Sequence, residues 1–180
     1  MFAVAAAAAV TGLTNLLSGR GERHPLELKP GDVAPDFDLA GSDGRRYRLR
    51  DFRNRDAVVI AWFPKAFTAS CTRECASIGS SHGVLRGFKA TYFGASVDTT
   101  QTNRQFAESL GIDYPILSDP GKAVARAYGV LGATGFPARW TFYIGRDGRI
   151  LDVDKHVRPG SHGPDVVGKL TALGVPPAHA

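Results

Sequence analysis

Two cysteines stand four residues apart, at Cys71 and Cys75, and the chain has no others. They close the segment Pro64-Lys65-Ala66-Phe67-Thr68-Ala69-Ser70-Cys71-Thr72-Arg73-Glu74-Cys75, which follows the apolar run 57–63. A thiol can act as nucleophile, redox partner or soft-metal ligand, and in each role the thiolate is the active form. The apolar run reads as a buried strand ended by Pro64, and a helix is expected to start near residues 68–71. Cys71 then falls in the first helical turn. Free backbone N–H groups and the positive end of the helix dipole favour a negative sulfur there, and a nearby arginine would favour it further. A lone cysteine is by default an inert buried residue. The loop position, the polar neighbours and the second cysteine argue for chemistry instead.

The rest of the sequence has to hold that loop. Residues 37–39 and 46–49 alternate about Ser42-Asp43-Gly44, which predicts an N-terminal hairpin. A second buried strand is expected over 90–97. A helix over 100–110 should follow, with Thr99 or Thr100 as cap and Gly111 as stop. A short extended piece at 116–117, a helix over 121–128 and a hairpin of 139–144 with 149–153 come next, and a helix over 166–173 closes the chain. The pattern predicts an α/β fold, a central mixed β-sheet flanked by helices on both faces. In such sheets, sites gather where a strand's C-terminal end meets the next helix, which is the place of residues 64–75. Gly79-Ser80-Ser81-His82-Gly83 matches the hydrolase G-x-S-x-G pattern, but that motif needs a strand–turn–helix context. Gly79 or Gly83 is instead expected to break or end the helix begun at Cys71.

Composition narrows the function classes. With 180 residues, 43% hydrophobic and 22% charged, the chain suits one folded domain. Two cysteines cannot frame a disulfide scaffold of that length. The net charge of +5 raises nucleic-acid binding. The local basic cluster (Arg45, Arg46, Arg48, Arg50, Arg53, Arg55) lacks interleaved aromatic rings, so it reads as a solvated hairpin face. Residues 2–17 carry no charge and are Ala-rich, which suits a frayed helical leader or an export or tethering segment. The domain is expected over 28–175, after a leader and linker at 1–27 and before a tail at 176–180.

Pro64, Thr68 and Cys71 together resemble the P-x-x-x-T-x-x-C signature of the peroxiredoxins, the alkyl hydroperoxide reductase and thiol-specific antioxidant superfamily. The likeness extends to Gly31-Asp32-Val33-Ala34-Pro35-Asp36-Phe37, to Ser96-Val97-Asp98 and to Tyr114-Pro115-Ile116-Leu117-Ser118-Asp119. It also covers Ala127-Tyr128-Gly129-Val130 and Arg139, which falls where the family carries its active-site arginine. Among subfamilies the chain looks most like the Q-type, or bacterioferritin-comigratory, proteins. The resemblance implies a thioredoxin-like fold and a thiol peroxidase acting on hydrogen peroxide or organic hydroperoxides. Cys71 would be oxidised to a sulfenic acid, with Arg139 and Thr68 orienting peroxide and sulfur. Pro64 would shield the sulfur, and backbone N–H groups near Ser70 and Cys71 would complete the pocket. Phe67, Phe136 and Trp140 can make the pocket's surroundings apolar. The resemblance implies thioredoxin or a similar dithiol as reductant, no cofactor and no metal. It also implies a monomer or weak homodimer and a cytoplasmic location by family habit, with export or tethering through residues 1–20 as the alternative.

One spacing departs from that pattern. The helical resolving cysteine of Q-type proteins usually lies five residues beyond the first, and here Cys75 lies four beyond. Residues four apart on a helix have Cβ atoms about 5–6 Å apart, whereas a disulfide needs about 3.5–4.5 Å. The first helical turn must therefore open if Cys71 and Cys75 are to bond. Two rival readings use the same pair. A Cys-x-x-x-Cys in a thioredoxin-like domain also resembles the copper site of Sco-type chaperones, with His156 or His162 as a third ligand. A thiol–disulfide oxidoreductase is the other rival, although it would normally have one residue fewer between its cysteines.

Overall fold

The protein is described by a computed structural model covering residues 27–178. The leader expected over 1–27 lies, apart from Glu27, outside the described residues, as do residues 179–180 of the tail. No described helix is long and apolar enough to cross a membrane.

The chain folds around β3 (Ala57–Trp62), whose six residues are all buried. The two-residue period of a strand sends Val59 and Ala61 into one apolar layer, and Val58, Ile60 and Trp62 into another on the opposite face. Such burial on both faces explains why the run is continuously apolar rather than alternating. β3 pairs in parallel with β4 (Ala90–Ser96), Ile60 facing Phe93. β4 pairs in parallel with β5 (Ile116–Ser118). The N-terminal hairpin, β1 (Asp38–Gly41) and β2 (Arg46–Arg48), joins antiparallel on β5. On its other side β3 meets β6 (Thr141–Ile144) antiparallel, and β7 (Ile150–Asp154) forms the edge. The sheet thus has seven strands, in the order β2-β1-β5-β4-β3-β6-β7. This is the mixed sheet expected from the sequence, and it is covered on both faces.

The arginine cluster of the hairpin is a solvated, ion-paired face. Arg46 and Arg48 both reach Asp38, at 2.7 and 3.1 Å, and Arg50 reaches Asp36 at 3.1 Å.

Helix α1 (Ala69–Leu85) follows β3, and α2 (Thr100–Leu110) follows β4. Thr99 caps α2 by accepting from Thr102 N at 3.2 Å, and Gly111 ends it in the left-handed region at φ 59°. A short α3 (Ala123–Ala127) covers the second apolar layer through Ala125. Helix α4 (His162–Ala172) packs on α1.

Two expectations need correction. Helix α1 runs straight through Gly79 and Gly83 to Leu85, so neither breaks it, and the G-x-S-x-G stretch is mid-helix. Tertiary packing accounts for this: the Gly79 position lies against the Ile112 side chain, where a Cβ would come within 2.9 Å. Helix α4 also begins four residues earlier than expected, so His162 is its first residue rather than part of a loop.

Gly163 fixes how closely α1 and α4 approach. A Cβ there would lie 2.2 Å from the carbonyl oxygen of Ser77 and 2.4 Å from Ser81 Oγ. The Gly163 N–H also donates to Ser77 Oγ at 3.0 Å. Alanine normally improves a helix interior by about 1 kcal/mol over glycine. Here the clash with a backbone oxygen outweighs it, and Gly163→Ala is expected to destabilise the protein by about 1–3 kcal/mol in urea unfolding. A gain in stability would show that α4 is not seated this tightly.

Candidate active site

Sheet topology brings the site together. Because β6 runs antiparallel to β3, the entry to β6 lies beside the exit from β3, with Ala61 opposite Thr141. Trp62 N donates to Trp140 O at 2.9 Å and continues the pairing one step further. Arg139 thereby stands next to the loop that carries Cys71. Ala138 N donates to Val130 O at 2.7 Å, tying down the backbone just before Arg139.

The loop is held from the other side by β4. Asp98, just beyond its end, accepts the Ala66 N–H at 2.9 Å. Phe67 takes up a left-handed backbone conformation at φ 63°, an uncommon one for a bulky residue, and its ring lies 5.1 Å from that of Phe106. Thr68 is the N-cap of α1 through its backbone: its carbonyl accepts Thr72 N at 2.8 Å. Its hydroxyl donates to Lys65 O at 3.0 Å.

Cys71, in the first turn of α1, is 1% exposed. Arg139 Nη2 donates to its Sγ at 3.3 Å. A guanidinium and a helix N-terminus both favour a thiolate over a thiol. Pro64 is half-buried, and Thr68 and Ser70 are exposed, in the segment that leads into Cys71. Among the described residues, the hydrogen bond to the sulfur comes from Arg139. Phe67 and Phe136 are exposed, at 55% and 41%. Lys65 lies over the Phe136 ring at 5.6 Å, and Lys155 lies over Trp140 at 4.4 Å.

Cys75 lies on the buried side of the same helix, 3% exposed, and both cysteines are free thiols. Burial pushes the Cys75 thiol up to about 12, so it stays protonated at neutral pH. The Tyr114 hydroxyl donates to the Cys75 carbonyl oxygen at 2.9 Å, holding that turn of helix.

Of two residues beneath the sulfur, Glu74 escaped the sequence reading and His162 entered it only as a possible copper ligand. Glu74, 2% exposed, forms an ion pair from Oε2 to Arg139 Nη1. Its Oε1 lies 3.1 Å from His162 Nδ1. The other ring nitrogen, His162 Nε2, lies 2.9 Å from Thr141 Oγ1. Their sequence signals were slight: a carboxylate one helical turn after Cys71 on a face that must be buried, and a histidine heading a helix rather than sitting in a loop. The copper reading loses its third ligand here, because His162 is 1% exposed and engaged, and His156 is exposed. The site also places a cation, Arg139, on the very sulfur a metal would need.

Three comparisons bear on the chain. The sequence profile of the AhpC/TSA family matches residues 30–153. Peroxiredoxin Bcp of Escherichia coli (strain K12) is 30% identical over 142 residues, covering 75% of this chain and 90% of that protein. The crystal structure of peroxidoxin BcpB from Mycobacterium tuberculosis superposes with a TM-score of 0.74 at 32% identity, covering 81% of this chain and 98% of that one. A bacterioferritin comigratory protein of Xanthomonas campestris, whose structures address its alkyl peroxide reduction activity, superposes with a TM-score of 0.72 at 23% identity. That match covers 83% of this chain and 98% of that one, and it supports the shared fold.

Burial holds His162 neutral, pushing it from the usual 6.5 down to about 4, and the Arg139 charge acts in the same direction against the opposing pull of Asp154 and Asp165. The unfolded chain therefore binds a proton that the folded chain resists. Stability is full above pH 6.5 and is lost as pH falls from there towards 4. Melting temperature should fall over that window, and His162→Asn should flatten this part of the profile. An unchanged slope in the variant would show that another group titrates.

Proposed function

The chain belongs to the AhpC/TSA family of peroxiredoxins, which are thiol peroxidases, and we propose that Cys71 is the thiol the peroxide oxidises and Cys75 the thiol that resolves it. The observation that carries the first assignment is the Arg139 guanidinium donating to Cys71 Sγ at the start of α1. The thiolate attacks the terminal peroxide oxygen, the O–O bond breaks, and an S–O bond forms. Sulfur is oxidised to sulfenic acid, and the departing oxygen takes a proton and leaves as water or an alcohol. Arg139 stabilises charge on both the sulfur and the peroxide oxygens. The Thr68 hydroxyl can donate and accept, so it orients the peroxide. Pro64 offers no N–H and limits water at the sulfur, and the N–H groups of Ser70 and Cys71 complete the anion-binding end of the helix. The exposed ring of Phe67, next to Thr68, suits the organic part of a hydroperoxide.

Resolution requires a change of shape. Cys75 is buried, protonated and held in an intact helix by Tyr114. Attack on the sulfenic acid therefore needs the first turns of α1 to unwind, which exposes the Cys75 thiol and brings the two sulfurs together. Water leaves as the disulfide forms, and thioredoxin or a similar dithiol returns it to two thiols.

Cys71→Ser is expected to abolish peroxide consumption. Arg139→Ala should slow Cys71 oxidation by roughly 10²–10³, the loss seen when a preorganised donor to developing charge is removed. Stopped-flow fluorescence against hydrogen peroxide and an organic hydroperoxide checks both, and undiminished activity in Cys71→Ser would overturn the assignment.

Non-reducing mass spectrometry after one equivalent of peroxide checks the second cysteine. The wild-type protein should show an internal disulfide, and Cys75→Ser a sulfenic acid or its adduct. A wild-type product lacking the disulfide throughout the time course would remove Cys75 from the cycle.

A further inference from the structure

The four atoms that join Arg139, Glu74 and His162 form a closed set. Arg139 Nη1, both Glu74 carboxylate oxygens and His162 Nδ1 are buried, and none makes an aligned hydrogen bond among the described residues. What faces them is each other: Glu74 Oε2 forms an ion pair with Arg139, and Glu74 Oε1 lies 3.1 Å from Nδ1 of the neutral His162 ring. A buried carboxylate with one partner missing would carry a large desolvation cost, so the orientation of Glu74 depends on what faces each oxygen. The same Arg139 that meets Glu74 through Nη1 reaches Cys71 Sγ through Nη2. The chain of contact therefore runs from the β6 hydroxyl of Thr141, through the His162 ring and Glu74, to the guanidinium on the sulfur.

We propose that His162 is a positioning residue for the peroxidase step: its Nδ1, 3.1 Å from Glu74 Oε1, backs the carboxylate and through it holds Arg139 against Cys71. The tautomer follows from the surroundings. Nδ1 faces a carboxylate oxygen, which can only accept, and so carries the hydrogen. Nε2 then accepts from the Thr141 hydroxyl, 2.9 Å away. The charged groups around the ring are Glu74 on α1, Arg139 before β6, Asp154 on β7 and Asp165 on α4. Burial keeps the ring neutral, as this arrangement requires. The rigid seat of α4 supplies the precision, because the residue after His162 is Gly163, pressed against Ser77.

The inference rests on the peroxidase reading of Cys71. Its test compares two amides of similar polarity in the full-length protein. In His162→Asn the amide sits at the Nδ1 position and can still donate to Glu74. In His162→Gln it sits one bond further out, near Nε2, and leaves Oε1 without its donor. The second-order rate of Cys71 oxidation by hydrogen peroxide should stay within about threefold of wild type in Asn and fall about tenfold in Gln. Thiolate absorbance near 240 nm at fixed pH should fall in Gln and hold in Asn. In an Arg139→Ala background the Asn and Gln variants should have equal rates, because the effect travels through Arg139. Equal rates for Asn and Gln with Arg139 present would overturn the proposal, as would a Gln loss that persists without Arg139. Should His162→Gln fail to fold, Thr141→Val removes the hydroxyl that orients the ring at nearly constant shape, and an unchanged rate there would also overturn it. A Cys71→Ser control that still consumed peroxide would sink the underlying peroxidase reading instead.

Discussion

The contact between Arg139 and Cys71 is the interaction around which the rest of the structure is arranged. It joins two segments 68 residues apart in sequence, and it exists because β6 lies antiparallel beside β3. Strand pairing alone would set the neighbourhood to within a few ångströms. What sets the guanidinium on the sulfur is the buried pairing with Glu74 one helical turn below. A carboxylate that is 2% exposed is tolerated only because a cation meets it, and the cation is then not free to drift into solvent. Local helix geometry and sheet register thus converge on one polar contact inside an otherwise apolar layer.

That convergence also creates a conflict. Cys71 and Cys75 belong to the same apolar layer as Val59, Phe63, Ile78 and Phe106. Burial favours a well-defined reactive pocket, yet it keeps the second thiol protonated and out of reach. The two demands are separated along α1. Its first turns are held by side chains: Arg139 on Cys71, Tyr114 on the Cys75 carbonyl, and Glu74 on Arg139. From Ser77 onward it is held by backbone-level fit, with Gly163 seated against the Ser77 carbonyl and Gly79 against Ile112. Contacts of the first kind can be exchanged one at a time, whereas the second kind gives way only if a packed neighbour moves, α4 at Gly163 and the segment after α2 at Ile112.

Much of this was legible in the sequence, and the part that was not has a common cause. The continuous apolar run of β3, the caps of α2 at Thr99 and Gly111, and the turn residues of both hairpins are local signals, and they appear where expected. Arg139 was found through its place in a familiar pattern. Glu74 was not singled out, and His162 was considered only as a metal ligand, because an acidic residue on a helix and a histidine near a chain's end read as solvent-facing until the partner elements are known. The glycines of α1 failed in the opposite sense. Gly79 signals a break by propensity, but here it marks close packing against Ile112, and a non-local contact overrode a local preference.

Charge, finally, ties the peroxidase step to the shape of the helix. Glu74 lies between the two cysteines in sequence, so any unwinding of α1 that carries Cys71 to Cys75 must also carry Glu74 away from Arg139 and His162. On the proposed cycle, the thiolate that reacts adds to the pull that keeps Arg139 inward and the helix closed. A sulfenic acid is neutral, so its formation removes that pull while leaving the Glu74 pairing as the remaining electrostatic restraint on the first turns. On the proposed cycle the closed helix is therefore favoured most strongly when the sulfur is ready to react, and least strongly once it has reacted. The network that presents the thiolate to peroxide is then the same one whose loosening allows the second cysteine to reach it.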